Sequence, residues 1–175
     1  MENNTLVNRV AGSGLTTINP EDFFPIKTFI IFDIKEYLFH GLILKEKDFR
    51  VSLKNLDWSI YQDKIVLITC STDAVIPLWA YMLISVYLKD IAFDIYQGSW
   101  EDYLLMHYRN EIQKIDAEQF LDKRIVIKGC GSKPVPSYAY TMITSRLIPD
   151  AQSIMFGEPC STVPIYKRPR QILHN

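Results

Sequence analysis

The chain alternates short apolar runs with longer segments in which apolar residues recur at helical spacing. Nearly continuous apolar runs bounded by turn residues are typical of strands that are covered on both faces, whereas a 3.6-residue period indicates amphipathic helices. The predicted strands are 28–34, 64–70, 91–96, 124–130 and 153–156, with a further short strand or hairpin at 42–44. The predicted helices are 45–56, 74–88, 100–115 and 135–147.

This alternation predicts an α/β fold: one three-layer domain with a mostly parallel sheet of about five strands and helices on both faces. A chain of 175 residues, 48% of them hydrophobic, is long enough to bury the core of one such domain. We expect the domain to span residues 1–175, with an N-terminal helix and arm over 1–20 and a flexible tail over 167–175. The N-terminal helix is expected near residues 6–11.

Charge and composition exclude several classes of partner. The formal net charge of -1 leaves no basic surface of the kind that nucleic acid requires. The N-terminus lacks a secretory signal, and no apolar run reaches the ~20 residues that cross a bilayer. We therefore expect a cytoplasmic protein with no membrane partner; a homo-oligomer is compatible with the sequence. Gly12 and Gly14 lack the context of a phosphate-binding loop, which disfavours a nucleotide cofactor.

The three cysteines share one local setting. Each follows an apolar run and is followed by small or hydroxyl residues, a proline and an aromatic residue; the segments are 70–81, 130–140 and 160–166. The carboxyl ends of parallel strands meet at one edge of a sheet, where open α/β sheets bind their ligands. If the three strands are neighbours, Cys70, Cys130 and Cys160 converge on one site.

Three thiolates and one further ligand form a tetrahedral site for zinc or iron, or hold an iron–sulfur cluster. Asp73 and Glu158 are candidate oxygen ligands because each lies within three residues of a cysteine. His40, a water molecule or a substrate could instead complete the site. The chain has no paired Cys-x-x-Cys motif, so the metal prediction depends on the fold rather than on local spacing.

Three alternatives stay open. Free cysteines are often buried as small apolar side chains, which is a purely structural role. A thiol enzyme would use one cysteine as nucleophile and another to resolve the intermediate, and helices that begin after Cys70 and Cys130 would favour thiolates. A non-catalytic interaction domain could use aromatic residues near Trp100 and the tail.

Four segments carry a resemblance to a known family: 41–50, 57–59, 127–136 and 153–164. Together they resemble domain of unknown function 2480, a family of bacterial proteins, over nearly the whole chain. The resemblance implies a gene position beside the sulfur-mobilisation machinery, and hence iron–sulfur assembly proteins as partners. We therefore expect a cytoplasmic accessory protein in metal or iron–sulfur cluster handling, with a cysteine-dependent sulfur-transfer enzyme as the alternative.

Overall fold

A computed structural model describes residues 14–129, 131–158 and 160–169. Its helices and strands are, in chain order, β1 (Leu15–Ile18), β2 (Phe29–Asp33), α1 (Glu46–Asn55), β3 (Ile65–Thr69), α2 (Leu78–Leu88), β4 (Asp94–Gln97), α3 (Trp100–Gln113), β5 (Arg124–Ile127), α4 (Ser137–Leu147), β6 (Ser153–Glu158) and β7 (Ser161–Lys167). Short 3-10 helices lie at Pro20–Phe23, Ile34–Tyr37, Trp58–Tyr61 and Ala117–Phe120. In this part of the chain, no helix is long and apolar enough to cross a bilayer.

The α/β class and the mostly parallel strands are confirmed, but the strands form two sheets instead of one sheet of about five. One sheet has the order β2-β3-β4 and is entirely parallel. The other has the order β1-β5-β6-β7, in which only β7 is antiparallel to its neighbour. Each sheet belongs to a separate compact unit. We call Pro25–Leu104 the nested unit, and the residues up to Phe24 and from Leu105 onwards the split unit.

The nested unit buries its core between the sheet and helices α1 and α2. Every side chain of β3 from Ile65 to Ile68 is buried, as expected for a central parallel strand. Phe32 on β2 lies at the centre of an aromatic cluster, with ring centroids 5.3 Å from Tyr37, 5.9 Å from Trp58 and 5.9 Å from Tyr61. Phe32 therefore packs against three aromatic rings in the core of this unit.

The split unit is organised by helices α3 and α4. Tyr108 on α3 is fully buried, and its hydroxyl donates a hydrogen bond to the carbonyl of Pro20 at 3.2 Å. Burial, followed by the neighbouring Tyr138, Tyr140 and Glu21, raises the pKa of Tyr108 to about 12. This hydrogen bond ties the segment after β1 to a helix that lies far along the chain.

The two units follow the same chain path, from α1 to β4 in the nested unit and from α3 to β6 in the split unit. Equivalent residues, such as Pro77 and Pro136, lie 59 residues apart and share backbone roles. The pairs are Asp57 and Asp116, which cap 3-10 helices; Asp63 and Asp122, with φ of 58° and 56°; Pro77 and Pro136, which precede α2 and α4; and Gly98 and Gly157, with φ of 143° and 123°.

The same spacing relates the buried faces of α2 and α4. Both helices bury alanine, isoleucine and leucine at equivalent positions: Ala80, Ile84 and Leu88 on α2, and Ala139, Ile143 and Leu147 on α4, each at 0% exposure. Identical burial at identical spacing indicates that one structural motif occurs twice. Residues that differ between the two copies are therefore not required by the shared motif, and they mark features that are specific to one unit.

Several element boundaries differ from the sequence predictions. β1 lies within the predicted arm, and β7 continues to Lys167, where a flexible tail was expected to begin. Arg168 forms an ion pair with Asp122 and a hydrogen bond to the carbonyl of Asp150. The predicted strand at 42–44 is only an isolated bridge between Phe39 and Ile43. The predicted N-terminal helix at 6–11 and residues 170–175 of the tail lie outside the described residues.

Candidate functional site

Cys70 directly follows β3 at the carboxyl edge of the three-stranded sheet. It is half-buried, and its thiol donates a hydrogen bond to the carbonyl of Thr72, with a sulfur–oxygen distance of 3.6 Å. Tyr81, in the second turn of α2, is close enough for its pKa to be raised first by burial and then by the charge of Cys70. The Cys70 thiol, in the loop that joins β3 to α2, therefore lies within electrostatic range of the Tyr81 hydroxyl.

The carboxylate of Asp33 holds that loop in place. Its Oδ1 accepts hydrogen bonds from the backbone N–H of Ser71 and of Lys35, both at 3.0 Å. Burial acts to raise the pKa of Asp33, but the hydrogen bonds from Ser71 and Lys35 outweigh it, so the pKa is lowered. The end of β2 is thus fastened to the cysteine loop after β3 through an ionised carboxylate.

We expect Asp33→Asn to lower the free energy of unfolding by about 1 kcal/mol at neutral pH, because a hydrogen-bonded charge is lost. Since the folded-state pKa is lowered, the stability from Asp33 is present above its ordinary value of 3.8 and is lost as the pH falls through the folded-state value. Urea unfolding between pH 2 and pH 7 should therefore show a shallower acid dependence in the variant. Asp90→Asn is the control, because Asp90 is exposed. An equal effect of Asp90→Asn would contradict the stabilising role of Asp33.

A carboxylate plays the same part in the split unit. Glu21, in the 3-10 helix after β1, accepts a hydrogen bond from the backbone N–H of Lys133, while Lys133 Nζ donates to the carbonyl of Glu21 at 3.2 Å. Lys133 Nζ also lies 5.6 Å from the centroid of the Phe24 ring. A Cβ added at Gly131 would lie 2.3 Å from the Glu21 carboxyl group. The loop after β5 is therefore wrapped closely around this side chain.

A small polar cavity of about 200 Å³ lies at this edge of the four-stranded sheet. Its lining includes Glu21, Lys128, Gly129, Gly131, Lys133 and Tyr140. Gly129 and Gly131 flank Cys130 in the sequence, and Cys130 itself lies outside the described residues. Gly129 is also constrained, because an added Cβ would lie 2.2 Å from the Phe156 ring.

Cys160 and Glu158 lie where β6 ends and turns into β7. Cys160 is exposed, and Glu158 Oε2 is 3.8 Å from Lys128 Nζ. β5 and β6 are neighbouring parallel strands, with Ile127 paired to Phe156, so their carboxyl ends lie at the same edge. Lys128, which directly follows β5, and Glu158, the last residue of β6, make contact across that edge.

The predicted arrangement of three neighbouring strands is not observed. β5 and β6 are neighbours, but β3, which precedes Cys70, belongs to the other sheet. Asp73 is exposed in the loop before α2, and the ring of His40 packs against Phe39 at 4.0 Å. Within the described ranges, which omit Cys130, no group of three or more His, Cys, Asp and Glu side chains is arranged to hold a metal.

The internal repeat shows that the cysteines are not copies of one another. At the spacing of 59 residues, Cys70 corresponds to Gly129 and Cys130 to Ser71. Sequence reasoning also missed Asp33 and Glu21, which fasten the two loops. The signal for Asp33 was present, since it ends the apolar run of β2, whereas Glu21 follows β1, which has only a weak apolar pattern.

Comparison with known proteins gives one match. A family model described as "Protein of unknown function (DUF2480)" matches residues 4–168. No curated protein and no solved structure matches the chain. The match spans both units, including all three cysteines and the two loop-fastening carboxylates.

Proposed function

Because the chain belongs to the DUF2480 family, whose description names no activity, we propose its function from its own residues. We infer that it is a cytoplasmic accessory protein that handles metal ions or iron–sulfur clusters through cysteine thiolates. Zinc, iron or a cluster is the cargo, and iron–sulfur assembly proteins are the partners that the family resemblance suggests.

The exposure of Cys160 carries this proposal. A cysteine that served only as a small apolar side chain would be buried in the core, whereas Cys160 lies at the surface and Cys70 is half-buried. Both are open enough for a metal or another thiol to approach. A structural role for all three cysteines is therefore the weakest of the alternatives.

The edge of the four-stranded sheet is the centre of the proposed site. Cys130 comes three residues after β5, and Cys160 comes two residues after the neighbouring strand β6. Glu158 supplies a carboxylate at the same edge, where it forms an ion pair with Lys128. Thiolates combined with one oxygen ligand suit zinc or iron.

Cys70 belongs to the nested unit and is proposed as a separate thiolate, with Asp73, three residues further along the chain, as its candidate oxygen ligand. Its own hydrogen bond to the carbonyl of Thr72 uses the thiol proton, so metal binding at Cys70 would release that proton and break the bond. The loop that carries it stays fastened through Ser71 and Asp33. Cys70 can therefore exchange its partner without unfolding the end of β3.

The test is anaerobic purification followed by measurement of zinc, iron and acid-labile sulfide. We expect the protein to contain or take up metal, and the triple Cys70→Ser, Cys130→Ser, Cys160→Ser variant to lose uptake while its circular dichroism is unchanged. Ser161→Ala, next to Cys160, is the matched control and should bind as the unsubstituted protein does. A protein that neither contains nor takes up metal or sulfide would refute the proposal.

A cysteine-dependent sulfur-transfer enzyme is the second candidate, favoured by the surface position of Cys160. It predicts one thiol that alkylates much faster than the others near neutral pH, in metal-free protein. Cys160→Ser should then remove the fast phase, whereas Cys70→Ser should leave it. Uniformly slow alkylation of all three thiols would exclude this function.

A further inference from the structure

Helix α2 carries an apolar stripe on its exposed face. Leu78, Met82 and Val86 are 77%, 69% and 71% exposed and lie four residues apart, so they form one line about 12 Å long. We call these three residues the α2 stripe. A helix of a water-soluble domain normally places charged or polar residues on such a face. The α2 stripe is therefore a surface that another molecule is suited to cover.

The internal repeat supplies a control for the interpretation of the α2 stripe as a contact surface. The positions on α4 that correspond to the α2 stripe are Ser137, Thr141 and Ser145, and all three are exposed. The two helices bury the same residues on their inner faces, so the fold itself requires nothing apolar at the outer positions. The stripe is a property of α2 alone, which points to a contact that only the nested unit makes.

The surroundings of the stripe also belong to that surface. Val75, which is 93% exposed, precedes α2. Beyond the other end of the stripe, a groove of about 440 Å³ is lined by Ser85, Val86, Lys89, Ala92 and Phe93, among others. Phe93 is 52% exposed. The patch thus offers a projecting apolar residue at one end and a receiving groove at the other.

These features fit a second copy of the same chain. Residues 74–88 form the longest stretch of the sequence without Asp, Glu, Lys or Arg, so two such helices meet without burying unpaired charge. In an antiparallel pair, Met82 lies opposite Met82, Leu78 lies opposite Val86, and Val75 reaches the groove of the other copy. Asp73 before one helix also lies toward Lys89 after the other, which is a favourable pairing. Asp90 follows Lys89, so each end of the pair brings one lysine together with two carboxylates.

We propose that the protein forms a symmetric homodimer in which two α2 stripes pack antiparallel about a two-fold axis at Met82. Such an interface is isologous, with the same patch on both copies. A stable interface of standard size buries about 800 Å² on each copy, and the stripe, Val75 and the groove would supply the apolar part of it. The proposal does not depend on the metal function, because the patch contains no cysteine.

Sedimentation velocity over a range of protein concentrations tests the dimer, in reducing buffer because Cys160 is exposed. We expect a reversible dimer, and Met82→Glu should raise the dissociation constant at least about 100-fold because two like charges meet at the axis. Thr141→Glu, the equivalent change on α4, should leave the dimer intact. Unchanged circular dichroism and unfolding of Met82→Glu would separate loss of the interface from loss of the fold.

A charge exchange tests the antiparallel geometry. Leu78→Lys and Val86→Glu should each weaken the dimer, and the two changes in one chain should restore it, because each introduced charge then faces its opposite. A wild-type protein that is monomeric at all concentrations would overturn the proposal, even if the stripe proves to be covered by another part of its own chain. Equal dissociation by Thr141→Glu, or a dimer that survives Met82→Glu, would also overturn it.

Discussion

Phe32→Ala is expected to lower the free energy of unfolding by about 3–5 kcal/mol, the range found when a fully buried aromatic side chain is removed. Phe32 is 1% exposed and contacts three aromatic rings, two of them nearly parallel to its own. Because these rings are rigid and packed around it, they can collapse only partly into the space left behind. Equilibrium unfolding in urea would measure the loss.

The control for this change is Phe39→Ala, since Phe39 is 44% exposed. Its ring contacts Lys45, whose Nζ lies 3.1 Å from the ring centroid, and the ring of His40; losing the Lys45 contact should cost less than about 1 kcal/mol. Phe32→Leu should fall between the two, because leucine refills part of the cavity. Similar losses for Phe32→Ala and Phe39→Ala would contradict the described core.

Among the substitutions proposed for this protein, Gly157→Ala is expected to lower the free energy of unfolding more than any other except Phe32→Ala. Gly157 has φ of 123°, a backbone conformation that residues other than glycine rarely adopt. An added Cβ would also lie 2.6 Å from the carbonyl oxygen of Ser161. The strained backbone alone costs about 1–3 kcal/mol. Because the clashing atom is backbone of the paired strand β7, relief requires the β6–β7 hairpin to open.

Gly41→Ala separates the cost of a positive φ from the cost of the clash with Ser161. Gly41 also has a positive φ, of 71°, but an added Cβ there meets nothing within 4 Å. Gly157→Ala should therefore lower the thermal midpoint clearly more than Gly41→Ala does. It should also reduce metal uptake, since the distorted hairpin carries Glu158 and Cys160. Equal effects at the two glycines would show that contact with Ser161 is unimportant.

The elements with unambiguous sequence patterns were predicted within a few residues. β3 is a continuous apolar run, and α1 places Phe49 and Leu53 four residues apart on a buried face. The start of α2 was predicted too early, at residue 74 rather than Leu78. The reason is Pro77, because the residue before a proline is driven away from helical backbone angles.

Two strands were missed for identifiable reasons. β1 contains only four residues, Leu15–Ile18, and two of them are threonines, so its apolar pattern is weak. β7 contains Pro164, which normally counts against a strand. In the structure β7 is the edge strand of its sheet, and the register shifts between Ile154 and Met155, opposite Pro164. Edge position and irregular pairing are the two conditions under which a strand accepts proline.

The site could be predicted only in part. The sequence shows that each cysteine follows a strand, but it does not show which strands share a sheet. β5 and β6 are neighbours because the pairing of Ile127 with Phe156 closes a parallel crossover through α4. β3 repeats the same crossover with β4 through α2, which makes a second sheet. From the sequence alone, two β-α-β crossovers that extend one sheet cannot be distinguished from two that form separate sheets.

The nested arrangement also fixes an order of events during synthesis. β1 emerges from the ribosome first, yet Leu15 pairs with Arg124, which is made only after the whole of Pro25–Leu104. The strands of the nested unit pair only with one another, so this unit can fold before the partner strand of β1 has been synthesised. A folded insertion brings the two ends of its host closer together than an unfolded one would, which lowers the entropic cost of the late, long-range pairing.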